Sequence, residues 1–205
     1  MVLFSIAYFP PASYMQALVH ADKVMIECQE TYPKQTYRNR CYIYSANGKL
    51  PLIVPVIKPN GNQTKTKDIL ISYEEPWQKN HARALESAYN ASPYFLFYRD
   101  DIEEILFSSH ELLVEMNLDI LRKILELLGI EKKICMSREF VKEPGSNDLR
   151  NGFSPKKKED TSFREYSQVF STKHGFIPGL SILDLLFNLG PDSINHLSTK
   201  QSANY

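Results

Sequence analysis

The chain has 205 residues, enough for one good hydrophobic core or at most two small domains. Hydrophobic residues make up 43% and charged residues 23%, and 24 basic side chains balance 24 acidic ones, which excludes a global field for recruiting nucleic acid or an anionic membrane. Three widely spaced cysteines without a Cys-x-x-Cys pair argue against a zinc knuckle or a disulfide framework and fit a reducing compartment.

Met1–Phe9 reads as a buried strand closed by Pro10-Pro11. The run is too short to span a bilayer and lacks the basic start of a signal peptide, so the expectation is a cytoplasmic protein without membrane insertion. Ser13 is placed to cap a short helix through Val19, and Lys23–Cys28 reads as a second buried strand.

Tyr32 to Tyr44 is the stretch around which the rest is organised. As an extended strand it puts Lys34, Thr36, Arg38, Arg40, Tyr42 and Tyr44 on one face, three cations followed by aromatics. Such a face suits a carboxylate or phosphate, because guanidinium is a planar fork of donors and ammonium a point charge. A solvated edge strand explains the same residues, and on residue type alone it is the favoured reading. Asn47-Gly48 signals a hairpin into Leu50–Ile57, where Pro55 demotes the later half to an edge or bulge. Pro59–Lys67 is a loop and Asp68–Ser72 another strand.

From Trp77 the hydrophobic period becomes helical. Trp77, His81, Ala84, Leu85 and Ala88 share one stripe, with Pro76 at the first turn. Ser92-Pro93 predicts the start of the next helix, and Ser108 with Glu111 a capping box for the longest one, which Gly129 stops. Ile134–Val141 can return to the sheet. Lys142–Asp160 holds Pro144-Gly145 and Lys156-Lys157-Lys158 and reads as a loop. Ser181 and Asp184 are a cap-type pair for the helix Ile182–Leu189, ended by Gly190-Pro191. The expected architecture is one α/β (α+β type) domain over residues 1–197, a mixed sheet from the N-terminal third packed by the helical middle, with a polar tail at 198–205.

His81 sits on an apolar stripe, where desolvation keeps it neutral and able to act as a base; a core histidine satisfied by a carbonyl is the more frequent outcome. Asp184 offers a first-turn carboxylate, for which a capping role outweighs catalysis. No P-loop, Gly-x-Gly-x-x-Gly, Gly-x-Ser-x-Gly or His-Glu-x-x-His motif is present, and His81, His110 and His174 lack metal-ligand spacing. No cofactor is named by the residues.

Three boxes in order resemble the WbqC-like family: Tyr32-Pro-Lys34-Gln-Thr-Tyr37-Arg-Asn39-Arg40 with Leu52-Ile-Val-Pro55-Val56 downstream; Trp77-x-Lys79-x-His81 with Tyr89 and Ala91-Ser-Pro93-Tyr94-Phe95; and Pro178-x-Leu180-Ser181-Ile-Leu-Asp184-Leu-Leu-Phe187-Asn188-x-Gly190-Pro191. The resemblance implies a role in O-antigen or other surface-polysaccharide biosynthesis, with a glycine transferase role suggested for some members. It implies a sugar or sugar-nucleotide substrate and a preactivated aminoacyl donor. His81 would then be the base, oriented by Asp184, with Lys34, Tyr37, Asn39, Arg40 and Trp77 binding substrate. A non-catalytic module binding a sugar nucleotide or a partner is the alternative, and nucleic-acid binding by the cationic, aromatic face is the weakest reading.

Overall fold

The structure is a computed structural model that describes residues 1–143, 145–157 and 163–199. Two short aliphatic strands, β1 (Val2–Ser5) and β2 (Val24–Glu27), lie parallel and in register from Val2↔Val24 to Ser5↔Glu27. Helix α1 (Ala12–His20) makes the crossover that a parallel pair requires. It begins at Ala12, so Ser13 lies inside the first turn and caps nothing; Pro11 is the N-cap residue.

The expected strand over Tyr32–Tyr44 forms only from Arg40. β3 (Arg40–Ser45) pairs with β4 (Gly48–Ile53) in an antiparallel hairpin whose two turn residues are Ala46 and Asn47, with Gly48 at φ 95°. Upstream, Gln35 is left-handed (φ 59°) and Tyr37–Asn39 is a 3-10 turn, so the residues from Lys34 to Arg40 do not alternate between faces. Pro55 breaks the next run, as its missing N–H requires. Beyond it the chain forms only the short β5 (Val56–Ile57), which pairs with β6 (Leu70–Ile71).

Helix α2 (Trp77–Tyr89) packs on β3 and on α3 (Phe95–Phe107), and α3 packs on α4 (Leu113–Leu127). Ser92 and Ser108 do not cap. Their hydroxyls donate to Tyr89 and Ile105 carbonyls of the preceding helices, and the N-cap residues are Tyr94 and Leu112. α4 buries Leu113, Met116, Ile120, Leu121 and Ile124, each contributing about 2 kcal/mol of apolar burial. It closes on Gly129 (φ 65°), whose amide reaches Glu126 while Ile130 reaches Leu125.

β7 (Ile134–Met136) then joins β2 in parallel, giving the order β1-β2-β7. After α5 (Ser171–His174), helices α6 (Ile182–Leu189) and α7 (Ser193–Ser198) pack together and on α1. The α/β class is as expected, but the strands form a small parallel sheet and two antiparallel pairs rather than one mixed sheet. The irregular Gln29–Asn39 connection and Pro55 are the physical breaks between them. Residues 158–162 of the lysine-containing loop and the tail from 200 lie outside the described residues.

Candidate functional site

Two connections at the carboxyl ends of parallel strands carry the residues of interest. One follows β1 and contains Tyr8; the other follows β2 and contains Tyr32 to Asn39. Ligands of parallel sheets gather at such ends. Among the described residues, the two non-glycine residues with positive φ, Phe9 (36°) and Gln35 (59°), fall in these two connections. A left-handed bulky residue costs on the order of 1 kcal/mol and persists where its surroundings over-determine it. For Phe9, the Ser181 hydroxyl donates to its carbonyl at 2.9 Å and the Ile182 amide donates to Pro10 O at 2.8 Å.

That turn aims Tyr8 into the core, where its hydroxyl meets His81 Nδ1 at 2.9 Å. The Ile53 backbone also hydrogen-bonds the ring; as a carbonyl acceptor it takes the imidazole N–H, leaving Nδ1 to accept the phenol proton. Burial, 5% exposure, pushes the His81 pKa down to about 4, against the smaller opposing effect of Ile53, so the ring is neutral at pH 7. Trp77, one turn earlier on α2, meets the ring edge-on with centroids 5.2 Å apart. Trp77 is only 3% exposed, so its face is not open for stacking, and its indole N–H is buried without a partner among the described residues.

Asp184 does not orient His81. Its carboxylate accepts from the Tyr89 hydroxyl (2.8 Å) on one oxygen and from the Tyr166 hydroxyl (2.6 Å) and Gln168 amide (2.9 Å) on the other. Tyr89 lies eight residues beyond His81 on α2, roughly 12 Å along the axis at ~1.5 Å per residue, which separates the two groups. Burial pushes Asp184 up to about 6 while the three donors pull it down. Tyr89 in turn accepts the Tyr44 amide at 3.0 Å, so the carboxylate joins α6, α2, β3 and the Tyr166–Gln168 segment.

The residues of the first box part company. Asn39 is buried, and its amide donates to Val54 O at 2.9 Å while Val54 N returns to Asn39 O, a structural clamp on the hairpin. Tyr37 accepts the Tyr8 amide at its carbonyl (2.8 Å) and lines an open cleft of about 470 Å3, its solvent mouth included, with Pro11, Ser13, Phe153 and Gly179. Lys34 is exposed, and Arg40, half-buried, stands near Tyr32. Of the expected site residues, His81 and Trp77 come together, Lys34 and Arg40 share the surroundings of Tyr32, and Tyr37, Asn39 and Asp184 stand apart.

Arg38, which alternation assigns to a solvated face, is 3% exposed and paired with Glu30. Its carbonyl accepts the Asn117 amide of α4 at 2.7 Å. Sequence reasoning also missed Glu27, fully buried at the end of β2. It accepts from the Gln29 amide (2.7 Å), the Ser137 hydroxyl (2.7 Å) and the Val141 amide (3.0 Å), with Arg150 at 3.7 Å. Arg150 holds Asp148 as well, so this network is satisfied from within. A lone charge ending an apolar strand was the available signal for Glu27. Burial pushes the Cys28 thiol up to about 12 and Cys41 higher still, which leaves neither nucleophilic. Among the described residues no three His, Cys, Asp or Glu side chains are grouped to hold a metal, and no helix is long and apolar enough to cross a membrane.

Residues 7–153 and 156–196 match the model of the WbqC-like protein family. The chain belongs to that family. This WbqC-like chain is also 27% identical over 220 aligned positions to "Uncharacterized protein Rv1507c" of Mycobacterium tuberculosis, covering 93% of this chain and 94% of that one. No solved structure matches significantly. The family match spans both strained connections, the Tyr8–His81 pair and Asp184, so these features lie within the matched domain.

Proposed function

We propose that this WbqC-like chain works in the cytoplasm on a sugar or sugar nucleotide of surface-polysaccharide (O-antigen or capsule) biosynthesis, transferring glycine or another aminoacyl group to it. The observation that supports a proton-transfer step is the Tyr8–His81 pair, a neutral imidazole held in one orientation by a strained turn. In this reaction the acceptor's amine or hydroxyl attacks the carbonyl carbon of a preactivated aminoacyl donor. A C–N or C–O bond forms, the bond from that carbon to the donor's leaving heteroatom breaks, and the leaving group keeps the electron pair. The acceptor's proton passes to Nδ1 of His81, which requires the Tyr8 hydroxyl to give way to the acceptor. Asp184 takes no part in this step, its carboxylate being held by Tyr89, Tyr166 and Gln168.

Mass spectrometry of surface glycan tests this reading in a strain whose copy carries His81→Ala. An amino-acid substituent present in the wild type is expected to vanish; its full retention, with the variant protein folded, sinks the proposal.

One observation favours a second reading, a non-catalytic module that binds a sugar nucleotide or a partner enzyme. Both ring nitrogens of His81 are engaged and the ring is 5% exposed. Binding of a nucleotide sugar without turnover, lost in Arg40→Ala, would select this reading over the first.

A further inference from the structure

Around Tyr32 the chain assembles positive charge that no carboxylate among the described residues pairs. The Tyr32 hydroxyl and Arg40 Nε are both buried, and neither has a hydrogen-bond partner among the described residues. Tyr32 itself is 6% exposed. Buried donors are ordinarily paired, and an unpaired one costs about 1–3 kcal/mol, so two within one cluster call for an acceptor supplied from outside the chain. The guanidinium of Arg40 has no ion pair among the described residues, and its charge acts on the Tyr32 phenol. Lys58 Nζ lies 4.9 Å from the centre of the Tyr32 ring. Lys34 stands close enough to Lys58 for its charge to ease the loss of the Lys58 proton, behind the larger effect of burial.

The nearby carboxylate does not neutralise this group. Glu30 directs its Oε1 at the Nε and Nη2 of Arg38, on the buried side of the same connection. The phenol of Tyr32 stays protonated, since burial pushes it up to about 12 despite Arg38 and Arg40. It is therefore a donor at neutral pH. The loop is also pinned. The Tyr32 amide donates to Thr64 O (2.9 Å), the Thr66 amide to Glu30 O (2.9 Å), and Gln35 holds a left-handed bend beside Lys34.

We infer that Tyr32, Arg40, Lys34 and Lys58 form an anion site for a phosphate or diphosphate group. A fixed phenol O–H and guanidinium N–H would supply directed donors, and two lysines the surrounding charge. This deepens the sugar-nucleotide reading by naming the part of the ligand recognised here. It rests on that reading for the ligand's identity only, since pyrophosphate binding requires neither a sugar nor a reaction.

Isothermal titration of the full chain with inorganic pyrophosphate, with uridine diphosphate glucose, and with uridine as a phosphate-free control tests the site. Saturable binding of pyrophosphate that weakens as salt rises is expected. Arg40→Gln should weaken it at least tenfold, Tyr32→Phe several-fold and Lys79→Gln, on the exposed face of α2, not at all. Tighter binding of the nucleotide sugar than of pyrophosphate identifies a nucleotide-linked source; equal binding identifies free phosphate chemistry. Both outcomes support the site. Absence of saturable pyrophosphate binding overturns it, as does binding unchanged in Arg40→Gln and Tyr32→Phe. Should Arg40→Gln fail to fold, the surface double variant Lys34→Gln/Lys58→Gln carries the same test, and unchanged binding there overturns the proposal. Pyrophosphate binding combined with a glycan unaltered by His81→Ala would refute the transfer reaction while leaving the site standing.

Discussion

Tyr8 and His81 are joined by a 2.9 Å hydrogen bond across 73 residues of chain, and the Tyr8 amide at the same time donates to Tyr37. One residue thus ties the β1–α1 turn to α2 and to the β2–β3 connection. Tyr8→Phe removes the hydroxyl with little change in shape and leaves Nδ1 buried and unpaired. The expected loss is about 1–3 kcal/mol in urea denaturation. Tyr73→Phe is the control, because its phenol, though bonded to His110, belongs to a residue 43% exposed; its cost should stay near about 0.5 kcal/mol.

Two buried groups should pull the pH dependence of stability in opposite directions. Asp184 is raised from 3.8 to about 6, so between those values the folded chain binds more protons than the unfolded one, and this contribution falls as pH rises. His81 is lowered from 6.5 to about 4, so there the unfolded chain binds more, and stability rises with pH. Each shift corresponds to roughly 3 kcal/mol, so the two nearly cancel in the wild type. Asp184→Asn should unmask a stability that climbs from about pH 4 to 6.5, and His81→Gln one that declines from about pH 4 to 6. Denaturant titrations at pH 4.5 and 6.5 read the slopes; parallel curves for all three proteins would contradict both assignments.

Arg38 and Lys34 are equivalent by alternation and opposite in the folded chain. Glu30→Ala strands the Arg38 guanidinium at 3% exposure, and breaking a buried pair in this way costs about 3–5 kcal/mol. Lys34→Ala removes an exposed side chain and should change stability by less than about 0.5 kcal/mol. Thermal denaturation of the two variants side by side decides the matter.

These contrasts mark where the sequence is readable. Period and punctuation place the start of α2 at Trp77, both ends of the helix Ile182–Leu189, the return to the sheet at Ile134, though the strand ends at Met136 rather than Val141, and the Gly129 and Gly190 stops. Ser92 and Ser108 mislead as helix starts because a serine hydroxyl can equally bond back to the helix it follows. The organising stretch departs from alternation for a different reason. Nothing local announces that Gln35 turns left-handed or that Thr36 bonds the Arg38 amide, and one such turn rotates every later side chain. The pairings of Arg38 with Glu30 and of His81 with Tyr8 are tertiary facts.

Gly190 and Gly129 supply a test of how the third box is packed. Both end helices with positive φ, 55° and 65°, and a side chain at either carries the left-handed penalty of roughly 1 kcal/mol. Around Gly129 an added Cβ meets nothing within 4 Å, so Gly129→Ala should cost little more than that penalty. At Gly190 the added Cβ would lie 2.5 Å from the Tyr94 ring, on a backbone whose ψ of −127° already excludes most side chains. Tyr94 cannot simply retreat, because its amide donates to Phe187 O at 3.0 Å and it caps α3. Gly190→Ala should therefore cost several times what Gly129→Ala does, at least about 3 kcal/mol given overpacking added to strain. Replacing Tyr94 by alanine in the Gly190→Ala background should recover the steric part and leave the backbone part, a non-additivity that equilibrium denaturation of the four proteins measures directly. Equal costs for the two glycine variants would mean that the α6 stop is not packed against the start of α3.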